Sequence, residues 1–86
     1  MSRASEVYSR EFDSVFLTLP LQARELVENQ IHDLGSDLSR FPHRPLQGRS
    51  EYRLRAGVYR VIYEFDRGKN ILYLIAIGHR REVYRR

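Results

Sequence analysis

The 86-residue chain has no cysteine, which excludes disulfide bridges, thiolate nucleophiles and cysteine-ligated zinc or iron–sulfur sites together. Lysine is almost missing as well: 14 of the 15 basic side chains are arginine, and Lys69 is the exception. Long hydrophobic runs are absent. The longest, Ile71 to Ile77, is far below the roughly 20 residues that a membrane-spanning helix needs. Met1 to Tyr8 lacks the basic and then apolar pattern of a secretory leader, so a cytoplasmic protein with no membrane partner is expected. No H-E-x-x-H, no Gly-rich phosphate loop and no carboxylate pair at useful spacing occurs, and chemistry without a metal or small-molecule cofactor is the expectation.

What is present suits one globular domain spanning residues 1–86. Hydrophobic residues make up 42% and charged residues 30%, away from the composition of disordered chains, and the length allows a single core. Charge is unevenly spread. Met1 to Gly48 holds five arginines against seven acids, a net −2, whereas Arg49 to Arg86 holds nine arginines and one lysine against four acids, a net +6. A basic half built from guanidinium groups suggests a polyanionic partner, because the planar fork grips phosphate oxygens in pairs as an ammonium cannot.

The pattern along the chain changes period once. Ser5 to Tyr8 reads as a short extended segment. Ser9 is placed to cap a helix carrying Phe12, Val15, Phe16 and Leu19 at helical spacing and ending near Leu17 or Thr18. Pro20 then falls in the first turn of a second helix with Ala23, Leu26, Val27, Gln30, Ile31, Leu34 and Leu38 along one face. So short a connection makes the two helices a hairpin. Phe41 to Gly48, with two prolines and a glycine, reads as loop. Beyond it the period drops to two: Tyr52 and Leu54 alternate with Arg53 and Arg55, and after Ala56-Gly57 the residues Tyr59, Val61, Tyr63 and Phe65 alternate with Arg60, Ile62 and Glu64. A turn at Asp66 to Asn70 leads into Ile71 to Ile77, apolar on both faces and therefore an interior strand ended by Gly78, with Arg80 to Arg86 as a short basic tail or helical turn.

The expected fold is α+β, in the order β-α-α-β-β-β, with the helical hairpin packed on one face of a small, mainly antiparallel sheet. Alternation puts Arg53, Arg55 and Arg60 on the uncovered face, opposite Tyr52, Leu54, Tyr59, Val61 and Tyr63, with Arg80, Arg81 and Tyr84 brought near that surface after Gly78.

The segment from Tyr52 to Glu64, with its Tyr59-Arg60-Val61-Ile62-Tyr63 core, followed by Ile77-Gly78-His79-Arg80 and Glu82-Val83-Tyr84, closely resembles the RelE branch of the RelE/ParE toxin superfamily, and the likeness covers essentially the whole chain. The resemblance implies a RelE-like fold and a bacterial type II toxin: an endoribonuclease that enters the ribosomal A site, cuts mRNA there and is held inactive by a cognate antitoxin, the complex binding operator DNA through the antitoxin. It places the family's phosphate-binding arginines on Arg60 and Arg80, its terminal tyrosine on Tyr84 and one of its two strand lysines on Arg53; the other falls on Glu51.

Metal-free RNA cleavage uses the substrate's own 2′-hydroxyl as nucleophile. The protein must then help remove that proton, neutralise the phosphorane and protonate the departing 5′-oxygen. Arg60 and Arg80 fit the second task, and Arg53 fits phosphate or leaving-group stabilisation, since a guanidinium does not exchange its proton. Arg55, Arg81 and Arg85 are candidates for further RNA contacts. His79, the one imidazole in this cluster, is the candidate acid or base, with capping or packing as its alternative. Tyr84 suits base stacking or orientation of the 2′-hydroxyl. His32 and His43 have no neighbour at ligand spacing and receive no role. Two rival functions stand beside the ribonuclease: a ParE-like gyrase poison without enzymatic activity, and a catalytically degenerate antitoxin- or RNA-binding module.

Overall fold

The structure is a computed structural model and describes residues 3–81 and 83. Its elements run β1 (Ser5–Tyr8), α1 (Arg10–Phe16), α2 (Leu21–Ser36), β2 (Arg44–Pro45), β3 (Tyr52–Ala56), β4 (Tyr59–Asp66) and β5 (Ile71–His79). They form a five-stranded mixed sheet in the order β1-β5-β4-β3-β2, antiparallel throughout except for the parallel pair β1 and β5. The α+β expectation holds, and β5 is interior, flanked by β1 and β4.

Ser9 caps α1 as its position requires: its Oγ accepts from the Phe12 N–H at 3.0 Å and donates to the Ile75 carbonyl at 2.5 Å. Phe12 is thereby held over the sheet, stacked on Phe16 with centroids 5.6 Å apart. Pro20 stands just before α2, where its fixed φ of −57° suits a helix start. α2 ends at Ser36, so Leu38 follows the helix rather than extending its stripe, yet it is buried in the same core. Val27, Ile31 and Leu34 of α2 meet Leu54, Val61, Tyr63, Leu72, Leu74 and Ile77 from the sheet in that core.

Two details depart from simple alternation. Within β5, Leu72, Leu74 and Ile77 face the helices, a spacing of two and then three. A bulge accounts for it: Tyr63 pairs with Leu74 and Ile62 with Ala76, leaving Ile75 as the extra residue. The segment read as loop from Phe41 to Gly48 contains β2, two residues long, whose Arg44 and Pro45 pair with Arg53 and Tyr52. The residue before a proline is driven into extended backbone, so Arg44 is preset for pairing.

The sheet face away from the helices is partly covered. Val83 packs on Ile62 and Ala76 there, with Leu46 and Ile75 beside them. Gly78 makes this possible, because a β-carbon at that position would stand 3.3 Å from the Val83 Cβ.

Candidate phosphate-binding site

The β3–β4 hairpin turns on Gly57 and Val58, with Gly57 at φ +63°, a conformation that glycine adopts without strain. The tight turn fixes a register in which Arg55 lies directly opposite Arg60, and β2 sets Arg44 opposite Arg53. Like charges directly opposite across a sheet destabilise it, so two such pairs side by side mark a surface organised around something other than stability. Arg60 also pairs with Gly78 on its other side, where Val83 takes the space a side chain would fill.

Arg60 is buried, at 8% exposure. Its Nη1 donates to the carbonyls of Gly57 and Tyr59, both at 2.9 Å. These neutral acceptors orient the group without cancelling its charge, and no described residue engages Nη2 or Nε. The Arg80 N–H donates to the Val58 carbonyl at 2.8 Å, tying the residues after β5 to the hairpin turn. Arg44, Arg53, Arg55, Arg60, Arg80 and Arg81 all line one cavity of about 760 Å³. The ion pairs among the described residues lie elsewhere: Arg3 with Glu6, Arg40 with Asp37 and Arg49 with Glu51. The cavity is therefore a concentration of guanidinium charge without a carboxylate among the described residues to balance it.

The structure brings together five of the arginines singled out from sequence, Arg53, Arg55, Arg60, Arg80 and Arg81, and adds Arg44, hidden in the apparent loop. It does not bring in His79. That residue pairs with Tyr59, whose ring packs against the helix-side core, so His79 occupies the face opposite Arg60. Its Nδ1 accepts the Arg81 N–H at 3.3 Å, and the ring does not line the cavity. Strand parity was the signal: Arg60 pairs with Gly78, which turns the next residue away. Glu51 is held by Arg49, with 2.6 Å between Oε1 and Nη2. Tyr84 and Arg85 lie outside the described residues. Among the described residues, no cluster of three or more His, Asp or Glu side chains is placed to hold a metal ion.

His43, given no role from sequence, anchors the strap that forms one wall of the cavity. A carbonyl can only accept, so Nε2 carries the proton and donates to the Leu38 carbonyl at 2.6 Å, leaving Nδ1 to accept from the Tyr63 hydroxyl at 2.6 Å. The ring stacks on Phe65 with centroids 4.1 Å apart. Burial raises the Tyr63 phenol's pKa above its ordinary value, with a smaller contribution from Tyr52. No signal short of the tertiary fold pairs residues 20 apart in this way.

The family model for the ParE toxin of type II toxin–antitoxin systems matches residues 4–84. The chain belongs to the ParE toxin family. It is thus a type II toxin of the wider RelE/ParE superfamily. Among solved structures, the toxin resembles the RelBE2 toxin–antitoxin complex of Mycobacterium tuberculosis at TM-score 0.79 and 20% identity, over 95% of this chain and 97% of that one. It resembles the archaeal RelE–RelB complex of Pyrococcus horikoshii at 0.76 and 18%, over 95% and 100%. For the intact RelBE complex of E. coli the values are 0.70 and 17%, over 88% and 95%. At these identities the likeness is one of fold. No curated protein sequence matches the toxin closely enough to count as a relative.

Proposed function

We propose that this toxin is a metal-independent endoribonuclease that cuts mRNA in the ribosomal A site and is silenced by a cognate antitoxin covering its arginine cavity, the complex binding operator DNA through that antitoxin. The observation that carries the reading is the set of six guanidiniums lining one cavity, with Arg60 buried and oriented by neutral carbonyls. Such a cradle is built for a phosphate whose charge grows as the 2′-oxygen attacks. Arg60 and Arg80 fork the non-bridging oxygens, Arg53 supports the departing 5′-oxygen, and Arg55 with Arg81 and Arg85 neutralises the flanking backbone. Proton transfer or orientation of the 2′-hydroxyl falls to Tyr84. His79, on the opposite face, serves to shape the strand end.

The matching family model favours a second reading, a gyrase poison that cleaves nothing. One pair of assays separates them. Primer extension on programmed ribosomes, with toxin freed from its antitoxin, is expected to show cuts at A-site codons that vanish with Arg80→Ala and persist with His79→Ala. Absence of cuts by folded wild-type protein, together with inhibition of purified gyrase, would overturn the ribonuclease in favour of the poison.

A further inference from the structure

The cavity has two ends of different chemistry. The arginines form one. The other is lined by Phe41, Pro42 and Leu54, with Gln30 from α2 as the one uncharged polar side chain. Arg53 and Arg55 point away from the helices while Leu54, between them, points toward them, so one cavity lined by all three must pass around the edge of β3. The topology explains why that edge is open: β2 pairs only with Tyr52 and Arg53, and Leu54 to Ala56 have no outer strand neighbour among the described residues. The wall at this end is firmly placed. The Phe41 N–H donates to the Asp37 carbonyl at 3.1 Å, and the Phe41 ring sits 5.7 Å from the clamped His43 ring.

We infer that this end is a nucleobase subsite: a base of single-stranded RNA, attached to a phosphate held by the arginines, turns over the open edge of β3 and rests against Phe41 and Pro42. An aromatic ring beside a cationic groove is how single strands are gripped, because every base offers a π-face. Gln30 supplies the selective element. Its amide presents a donor and an acceptor together, the combination that reads the edge of an unpaired base. A cavity of 760 Å³ accommodates a ligand of this size. The inference rests on the phosphate-binding reading of the arginines and extends it from backbone to base.

The test uses full-length toxin freed from its antitoxin and 2′-O-methyl RNA tetranucleotides, which cannot be cleaved, with an abasic residue walked through each position and binding followed by fluorescence anisotropy. At one position loss of the base is expected to weaken binding about 5- to 150-fold, the range for a single base–aromatic stack. Phe41→Leu, which keeps apolar bulk but removes the ring, should abolish that difference while leaving the salt dependence intact. Gln30→Leu should change the order of preference among the four bases at that position. Arg44→Ala should weaken all probes alike. Salt-dependent binding that is indifferent to abasic substitution everywhere, or Phe41→Leu protein that still discriminates, would overturn the subsite and leave the phosphate cradle standing. Failure of folded wild-type protein to bind any tetranucleotide would overturn both.

Discussion

Arg60 shows how function is written against stability at the level of one side chain. A guanidinium is costly to bury unless its hydrogens are met, and here two carbonyls satisfy one nitrogen while Arg55 stands directly opposite. Replacing Arg55 with alanine is therefore expected to raise stability by about 0.2–1 kcal/mol, the worth of a cross-strand pair, in urea denaturation, while weakening RNA binding. Arg60→Lys should behave much like Arg60→Ala in cleavage assays, each losing about 100- to 1,000-fold in rate, because an ammonium cannot hold its orienting carbonyls and fork a phosphate together. Tyr63 is the opposite case, a residue whose polar atom serves the fold. Tyr63→Phe leaves His43 Nδ1 without its donor, and denaturation should show a loss of about 1–3 kcal/mol. The same phenol sets an alkaline limit. Its folded pKa lies above the free value of 10.0, so its neutral form stabilises fully below pH 10, and stability declines as pH climbs from there toward the raised value. The slope approaches about 1.4 kcal/mol per pH unit. Melting curves across that window should show the decline in wild type and a shallower one in Tyr63→Phe.

Among the elements, β1, α1 and β5 are joined at Ser9. Ser9 caps the helix and takes the carbonyl of the bulged Ile75, joining helix start and sheet through one hydroxyl. Ser9→Ala should cost about 0.5–2 kcal/mol in chemical denaturation. Its capping role was legible in sequence, since a serine before a helically spaced Phe12 and Val15 is a local signal. The same holds for the hairpin strands, whose period-two pattern runs from Tyr52 to Phe65. The bulge was not legible, because Ile71 to Ile77 is apolar at every position and offers no contrast from which to read parity. Nor was β2, whose two residues carry too little pattern, although Arg44 before Pro45 was a usable hint. The arginine constellation was visible as types on a strand face. His79 was misplaced for want of one count from Gly78, and the His43–Tyr63 bond requires contacts that only the packed chain supplies. At Gly78 the strand meets its cover: Gly78→Ala should displace Val83 from Ile62 and Ala76. The expected result is a lower melting temperature.

Over the whole molecule, the two halves of the sequence meet at the cavity with unequal shares of its charge. The N-terminal half supplies the helices, most of the acids and Arg44, and the hairpin with the segment after β5 supplies the other five guanidiniums of the cradle. Binding to single-stranded RNA should fall with salt at a log–log slope of about −0.7 for each phosphate neutralised. A filter-binding series from low to moderate salt should show the slope reduced by one such unit in Arg53→Ala or Arg44→Ala.

The parallel pairing of β1 with β5 carries one more consequence. Residues 5–8 have their sheet partners at positions 71–74, and β4 likewise waits for β5 on its open side. A nascent chain of 70 residues consequently holds its helices and one hairpin but lacks the strand that joins them. The sheet closes only when nearly all of the chain described here has left the ribosome that made it. The fold is in this way completed only near the end of synthesis, and chains terminated before Ile71 should be soluble-fraction failures with no effect on growth.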